Sequence, residues 1–228
     1  MLINCASDPA NLPAFNTTFN QSDVIISVLP LTHGQQPVLA HCSKMLLALL
    51  SPLLDHEQLR ALKLTRNEAN SFICLLNEAI ENPYHLAQDS SVLTFLRCMI
   101  WFTHEYNRKG TSLDRKVCSD YQKVLDSVTL ELERNSRLLL EEGLLSVLKC
   151  VLKLDSQQEL QSVAIRLIWC LSHETSTKTA ILKDPDIIRA VKCVSSPELS
   201  VTSYCTLYLL GFQSSGKFQG LITSLCFL

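Results

Sequence analysis

Residues 160–171 read Leu-Gln-Ser-Val-Ala-Ile-Arg-Leu-Ile-Trp-Cys-Leu. Leu160, Val163, Ala164, Leu167, Ile168 and Leu171 occupy the i, i+3, i+4, i+7, i+8 and i+11 positions of one stripe, the spacing that an α-helix gathers onto a single face. Ile165, Trp169 and Cys170 lie outside that stripe and are apolar as well. Little of such a helix can face water, so it must be sandwiched between neighbours.

Upstream, Leu144, Leu145, Val147, Leu148, Val151 and Leu152 predict a second apolar helix, opened after Gly143 and closed near Asp155-Ser156. Before it stands a short piece, Asn135 to Glu142, containing Leu138, Leu139 and Leu140. Short helix, medium helix and long helix make a three-part unit, and downstream the unit recurs. Ala180-Ile181-Leu182-Lys183 matches Leu138-Leu139-Leu140-Glu141, Asp186 to Val194 matches Gly143 to Val151, and Glu198-Leu199 to Leu210 matches Glu159-Leu160 to Leu171. Cys150 and Cys193 are 43 residues apart and Leu171 and Leu210 are 39. A period of about 40 residues lies in the range of armadillo and HEAT repeats.

The N-terminal half is more ragged. Asp23 to Leu31, Val38 to Leu50, Asn67 to Ile80 and Ser91 to Tyr106 carry helical apolar spacing and are separated by Pro30, Pro37, Pro52 and the Asn82-Pro83 break, residues that interrupt a helix by removing a donor and crowding the preceding turn. A polar turn at Gly110 to Asp114 precedes a long helix expected from about Leu113 to Glu133. No segment alternates apolar and polar residues for long, and glycines number six, as expected of helices joined by short turns. The expected organisation is an irregular segment over 1–19, divergent repeats over 20–134, regular repeats over 135–212 and an incomplete repeat or terminal helix over 213–228. The elements add up to four to five repeats.

With 228 residues, 47% of them apolar and 18% charged, the chain can bury a substantial core and is too apolar for a disordered one. A net charge of −2 without a long run of one sign lacks the field that a nucleic-acid or membrane-surface binder needs, so neither is an expected partner. Residues 1–19 carry neither a basic cluster nor a continuous apolar stretch. That leaves a cytoplasmic or nuclear address as the expectation, and the sequons at Asn16 and Asn20 are then not used. Of the ten cysteines the closest in sequence are Cys193 and Cys205, and no Cys-x-x-Cys occurs, which argues against zinc ribbons and redox motifs. Reduced core thiols acting as small hydrophobes are the expectation.

Over Asn135 to Leu210 the chain resembles the armadillo family, on Asn135, Gly143, Leu145, Leu148, Ala164, Leu167 and Leu171. The resemblance implies an all-α right-handed superhelix, an α-solenoid, whose third helices line a concave groove that binds extended peptides or folded partners. In the importin-like branch that groove carries a Trp and an Asn four residues apart on each third helix. The matching positions here hold Arg166 and Cys170, then Cys205 and Leu209, so the ladder of that branch is absent while the four residues remain the candidate partner-binding positions. Arg166 is the candidate for pairing with an acidic partner, as in the catenin-like branch.

A search for catalytic chemistry returns little. His41 and Cys42 are adjacent in sequence, but neighbouring helix residues point in different directions and do not make a nucleophile–base pair. His173 follows the long helix, where an imidazole complements the last carbonyls. Cys98 and His104 miss metal-ligand spacing, and the sequence contains no phosphate-binding glycine loop. Arg108-Lys109 and Arg115-Lys116 form a small basic patch across the Gly110 turn, faced in sequence by Glu131, Glu133, Glu141 and Glu142 and expected to be a solvated surface. Trp101, Phe102 and Tyr106 are expected in the core.

The expectation is therefore a protein-binding scaffold or adaptor without enzymatic activity, cofactor or metal. The alternative is a regulatory module of an enzyme, either an autoinhibitory solenoid or a clamp of the kind that opens a nucleotide-binding domain. Phe218, Leu221, Ile222 and Leu225 form a further apolar stripe before the chain stops. A terminal repeat needs a polar outer face, so this edge is expected either to continue in a longer protein or to dock onto a partner or a second copy.

Overall fold

The computed structural model describes residues 3, 6, 9–11, 21–33, 36–50, 54, 58–82, 91–103, 119–154, 157–194 and 197–212. Among them every regular element is helical, and the fold is all-α. The α-helices are α1 (Gln21–Val28), α2 (Pro37–Leu49), α3 (Arg66–Glu81), α4 (Ser91–Thr103), α5 (Ser119–Glu141), α6 (Leu144–Leu152), α7 (Gln158–Leu171), α8 (Thr175–Leu182), α9 (Pro185–Cys193) and α10 (Pro197–Leu209). Short 3₁₀ turns at Leu29–His33 and Gln58–Leu62 flank α2 and α3.

The boundaries follow local chemistry. α3 opens on a capping box in which the Thr65 hydroxyl accepts from the Glu68 N–H at 3.3 Å and the Glu68 carboxylate accepts from the Thr65 N–H at 2.7 Å, satisfying two donors that the helix cannot use itself. Gly143 takes φ +104 between α5 and α6, a left-handed conformation that glycine adopts without a Cβ penalty. α9 starts with Pro185 behind Asp184, whose carboxylate accepts from the N–H groups of Asp186 and Ile187 at 3.1 and 3.3 Å. α10 ends in a Schellman turn: Gly211 at φ +94 donates to the Tyr208 carbonyl and Phe212 to the Leu207 carbonyl, both at 2.9 Å.

Packing repeats from unit to unit. α4 packs on α7 and α7 on α10, while α3 packs on α6 and α6 on α9. α2 joins the first row by packing on α4, and α5 lies across α3, α4 and α6. One apolar core runs through both rows, from Leu47, Phe72 and Phe102 to Leu148, Leu167 and Val191. Ion pairs tie successive units at their edges: Arg97 to Glu159 at 3.0 Å between α4 and α7, and Lys149 to Asp184 at 2.8 Å between α6 and the cap of α9.

The long helix expected to end near Glu133 and the short piece expected over Asn135 to Glu142 form one helix, because α5 runs unbroken from Ser119 to Glu141. Neither glycine nor proline stands between Glu133 and Ser136, and Asn135 is an inward anchor of this helix rather than a turn residue. Its side chain is 1% exposed, accepts from the Leu64 N–H at 2.8 Å and donates to the carbonyls of Leu62 and Phe102, each at 3.0 Å. Of the three leucines that follow, only Leu139 is fully buried; Leu138 and Leu140 are half-buried. Glu131 takes Lys63 at 3.0 Å, and Glu142 and Glu141 take Arg66 at 2.8 and 3.2 Å. The basic residues at 108, 109, 115 and 116 and the apolar stripe at 218–225 lie outside the described residues. Among the described residues no helix is long and apolar enough to cross a membrane.

Candidate binding surface

The row formed by α4, α7 and α10 carries the four positions singled out in the sequence. Arg166 is exposed on α7, on the same face as Glu159 and His173, which stand seven residues to either side and therefore two turns away. Cys170 is 3% exposed, so it offers a partner no surface. Instead it lines a hollow of about 260 Å³ between the ends of α4 and α7 and the middle of α5, together with Thr103, Leu132, Ser136 and Glu174. Cys205 and Leu209 are half-buried on α10.

Residues that the spacing did not select complete this face. Trp169 is half-buried, with its ring packed edge-on against His173 at 4.5 Å between centroids and 88° between planes. Burial lowers the His173 pKa, which favours the neutral imidazole against that ring. The repeat that places Leu171 opposite Leu210 places Trp169 opposite Tyr208, and Tyr208 and Tyr204 are 51% and 36% exposed on α10. On α4, Trp101 is half-buried against the core and Arg97 stands one turn before it. The signal for Trp169 and Tyr208 was present in the repeat alignment. It was obscured because aromatic residues on an apolar helix are more often core, as Phe102 is at 0% exposure.

Burial makes the thiols of this region poor nucleophiles. It pushes Cys170 up to about 12 and raises Cys98 further above the ordinary thiol range; the thiolate is the reactive form. His41 turns toward Phe72, with ring centroids 5.2 Å apart, while Cys42 is exposed, so the adjacent pair does not converge. Among the described residues no group of three or more His, Cys, Asp and Glu side chains is arranged to hold a metal ion.

A second hollow, of about 480 Å³, opens between the 3₁₀ turns, α2 and the start of α3. Lys44 is 3% exposed there and donates to the Lys63 carbonyl and to Glu68 Oε1, each at 2.7 Å. Burial by itself would raise the Glu68 pKa, but hydrogen bonds from Lys44 and Thr65 outweigh it and hold the carboxyl below its usual range. Arg60, Lys63, His33, His41 and Asn67 also line this hollow. Comparison of the chain with protein-family models, curated proteins and solved structures returns no match.

Proposed function

We propose that the chain is an armadillo-like repeat scaffold: a right-handed α-solenoid that holds a protein partner, an extended peptide or a folded domain, along the α4–α7–α10 row and performs no covalent chemistry. The observation that carries this reading is the composition of that row, with Arg97 and Trp101, then Arg166 and Trp169, then Tyr204 and Tyr208 on successive helices that pack on one another. Arg, Trp and Tyr are the side chains in which binding energy concentrates at protein interfaces. A rigid stack of helices presents them at low ordering cost. Arg166 supplies the charge for an acidic segment, and the tyrosines supply area with a polar tip.

Quantitative affinity capture tests the proposal with wild-type chain, Arg166→Glu and Tyr208→Ala. Both positions are exposed, so circular dichroism and thermal unfolding should stay close to wild type. The expected result is one protein retained in stoichiometric amount by the wild type and depleted at least tenfold by each variant. Equal retention by all three chains would overturn the assignment of the surface.

A further inference from the structure

The 480 Å³ hollow beside α3 has the chemistry of an anion site, and we propose that it binds a phosphate monoester group, independently of the α4–α7–α10 row. Among the described residues that line the hollow there is a single carboxylate, and that one is already committed. Glu68 Oε1 takes Lys44 at 2.7 Å, and its Oε2 takes the N–H and hydroxyl of Thr65 at 2.7 and 2.9 Å. Lys44 and Glu68 therefore cancel, Lys63 is paired with Glu131 at 3.0 Å, and Arg60 is the remaining positive charge of the described lining.

Donors outnumber acceptors around this space. Lys44, buried to 3% exposure, uses two of its ammonium hydrogens on Glu68 and the Lys63 carbonyl, and an ammonium has three. Arg60 is exposed and forms no ion pair among the described residues, so its five N–H donors are available in the fork geometry that suits phosphate. Lys63 pairs with Glu131, but the lysine side chain is 52% exposed, and such a surface pair is weak enough to yield to a ligand. Asn67 lies in the first turn of α3, a sixteen-residue helix whose opening N–H groups cannot all be satisfied internally and carry the positive end of its dipole. Thr65 caps only one of them, that of Glu68.

A lining that offers a guanidinium, two ammonium groups and a helix start matches a tetrahedral dianion with three acceptor oxygens better than a planar monoanionic carboxylate. The cluster is small and the net charge of the chain is −2, so the site suits one phosphate and not a polyanion, which needs a longer basic track. The volume exceeds a phosphate group, leaving room for the body that bears it. That body is either a phosphorylated side chain of a protein or a small phosphate ester.

Calorimetric titration of the full chain with inorganic phosphate and, separately, O-phospho-L-serine tests the site. Saturable one-to-one binding of at least one probe is expected, weakened at least tenfold by Arg60→Glu. Asn67→Asp should weaken it similarly; the added charge enters the hollow, yet an Asp in the first helical turn favours the helix and preserves the fold. Lys183→Glu, an exposed lysine at the end of α8 outside the hollow, makes the same net-charge change as Arg60→Glu and should leave binding unchanged. Tighter binding of O-phosphoserine than of inorganic phosphate is the order expected of a monoester site; equal or tighter binding of inorganic phosphate would overturn the monoester assignment. Absence of saturable binding by both probes, retention by both hollow variants, or equal loss in the Lys183 control would overturn the proposal.

Discussion

Asn135 shows how one polar side chain can organise a helical core. Its amide satisfies the Leu64 N–H and the carbonyls of Leu62 and Phe102 at once, joining α5 to the loop before α3 and to the end of α4. These three groups have no access to water once the helices close, so removing the amide leaves a buried donor and acceptors without partners. Asn135→Ala should cost at least about 2 kcal/mol, the scale of an unsatisfied buried polar group plus a small cavity, measured by urea unfolding with an unchanged slope. A change within about 0.5 kcal/mol, as for an exposed site, would contradict the anchoring role. Sequence reading singled out this residue for its place in the repeat but read it as the start of a separate helix. Asn is a common turn and cap residue, and the backbone groups that keep it inside α5 come from 33 to 73 positions away, beyond any local pattern.

At the scale of elements, the boundaries with a chemical signature were legible. Gly143, the helix expected from Asp186 to Val194 and the long stripe from Leu160 to Leu171 all fall where their spacing placed them, within a residue or two. The 3₁₀ turn Gln58–Leu62 was missed; five residues are too few to show a period. The candidate surface was only partly legible. Arg166 is exposed as its polar character in an apolar helix implied, whereas Cys170, one turn later, is 3% exposed and lines the hollow beside α4 and α5, a placement that sequence spacing does not encode. Gly143→Ala separates backbone strain from packing. A Cβ at this position meets nothing within 4 Å, so the cost should be that of the left-handed conformation alone, about 1–2 kcal/mol, with no change in near-ultraviolet circular dichroism. A loss of about 4 kcal/mol or more would mean that α5 and α6 pack more closely around the turn than its geometry allows.

At the scale of the molecule, two rows of helices, α4–α7–α10 and α3–α6–α9, share one core, so a cavity in a middle helix should be felt by its neighbours on both sides. Leu167 is 0% exposed in α7, and Leu167→Ala should cost about 2–5 kcal/mol. Hydrogen exchange should then report loss of protection in α4 and α10 as well as in α7; loss confined to α7 would argue against mechanical continuity of the row.

The central claim is that the outward face of this row is the binding surface. A photocrosslinking amino acid placed in turn at Arg166 and Tyr208, and as controls at the exposed Cys150 of α6 and Arg189 of α9, measures it directly. Irradiation followed by mass spectrometry should trap the same protein at Arg166 and Tyr208 and leave the control positions uncrosslinked. A partner trapped at Cys150 and Arg189, with none at Arg166 and Tyr208, would contradict the account and move the binding surface to the α3–α6–α9 row.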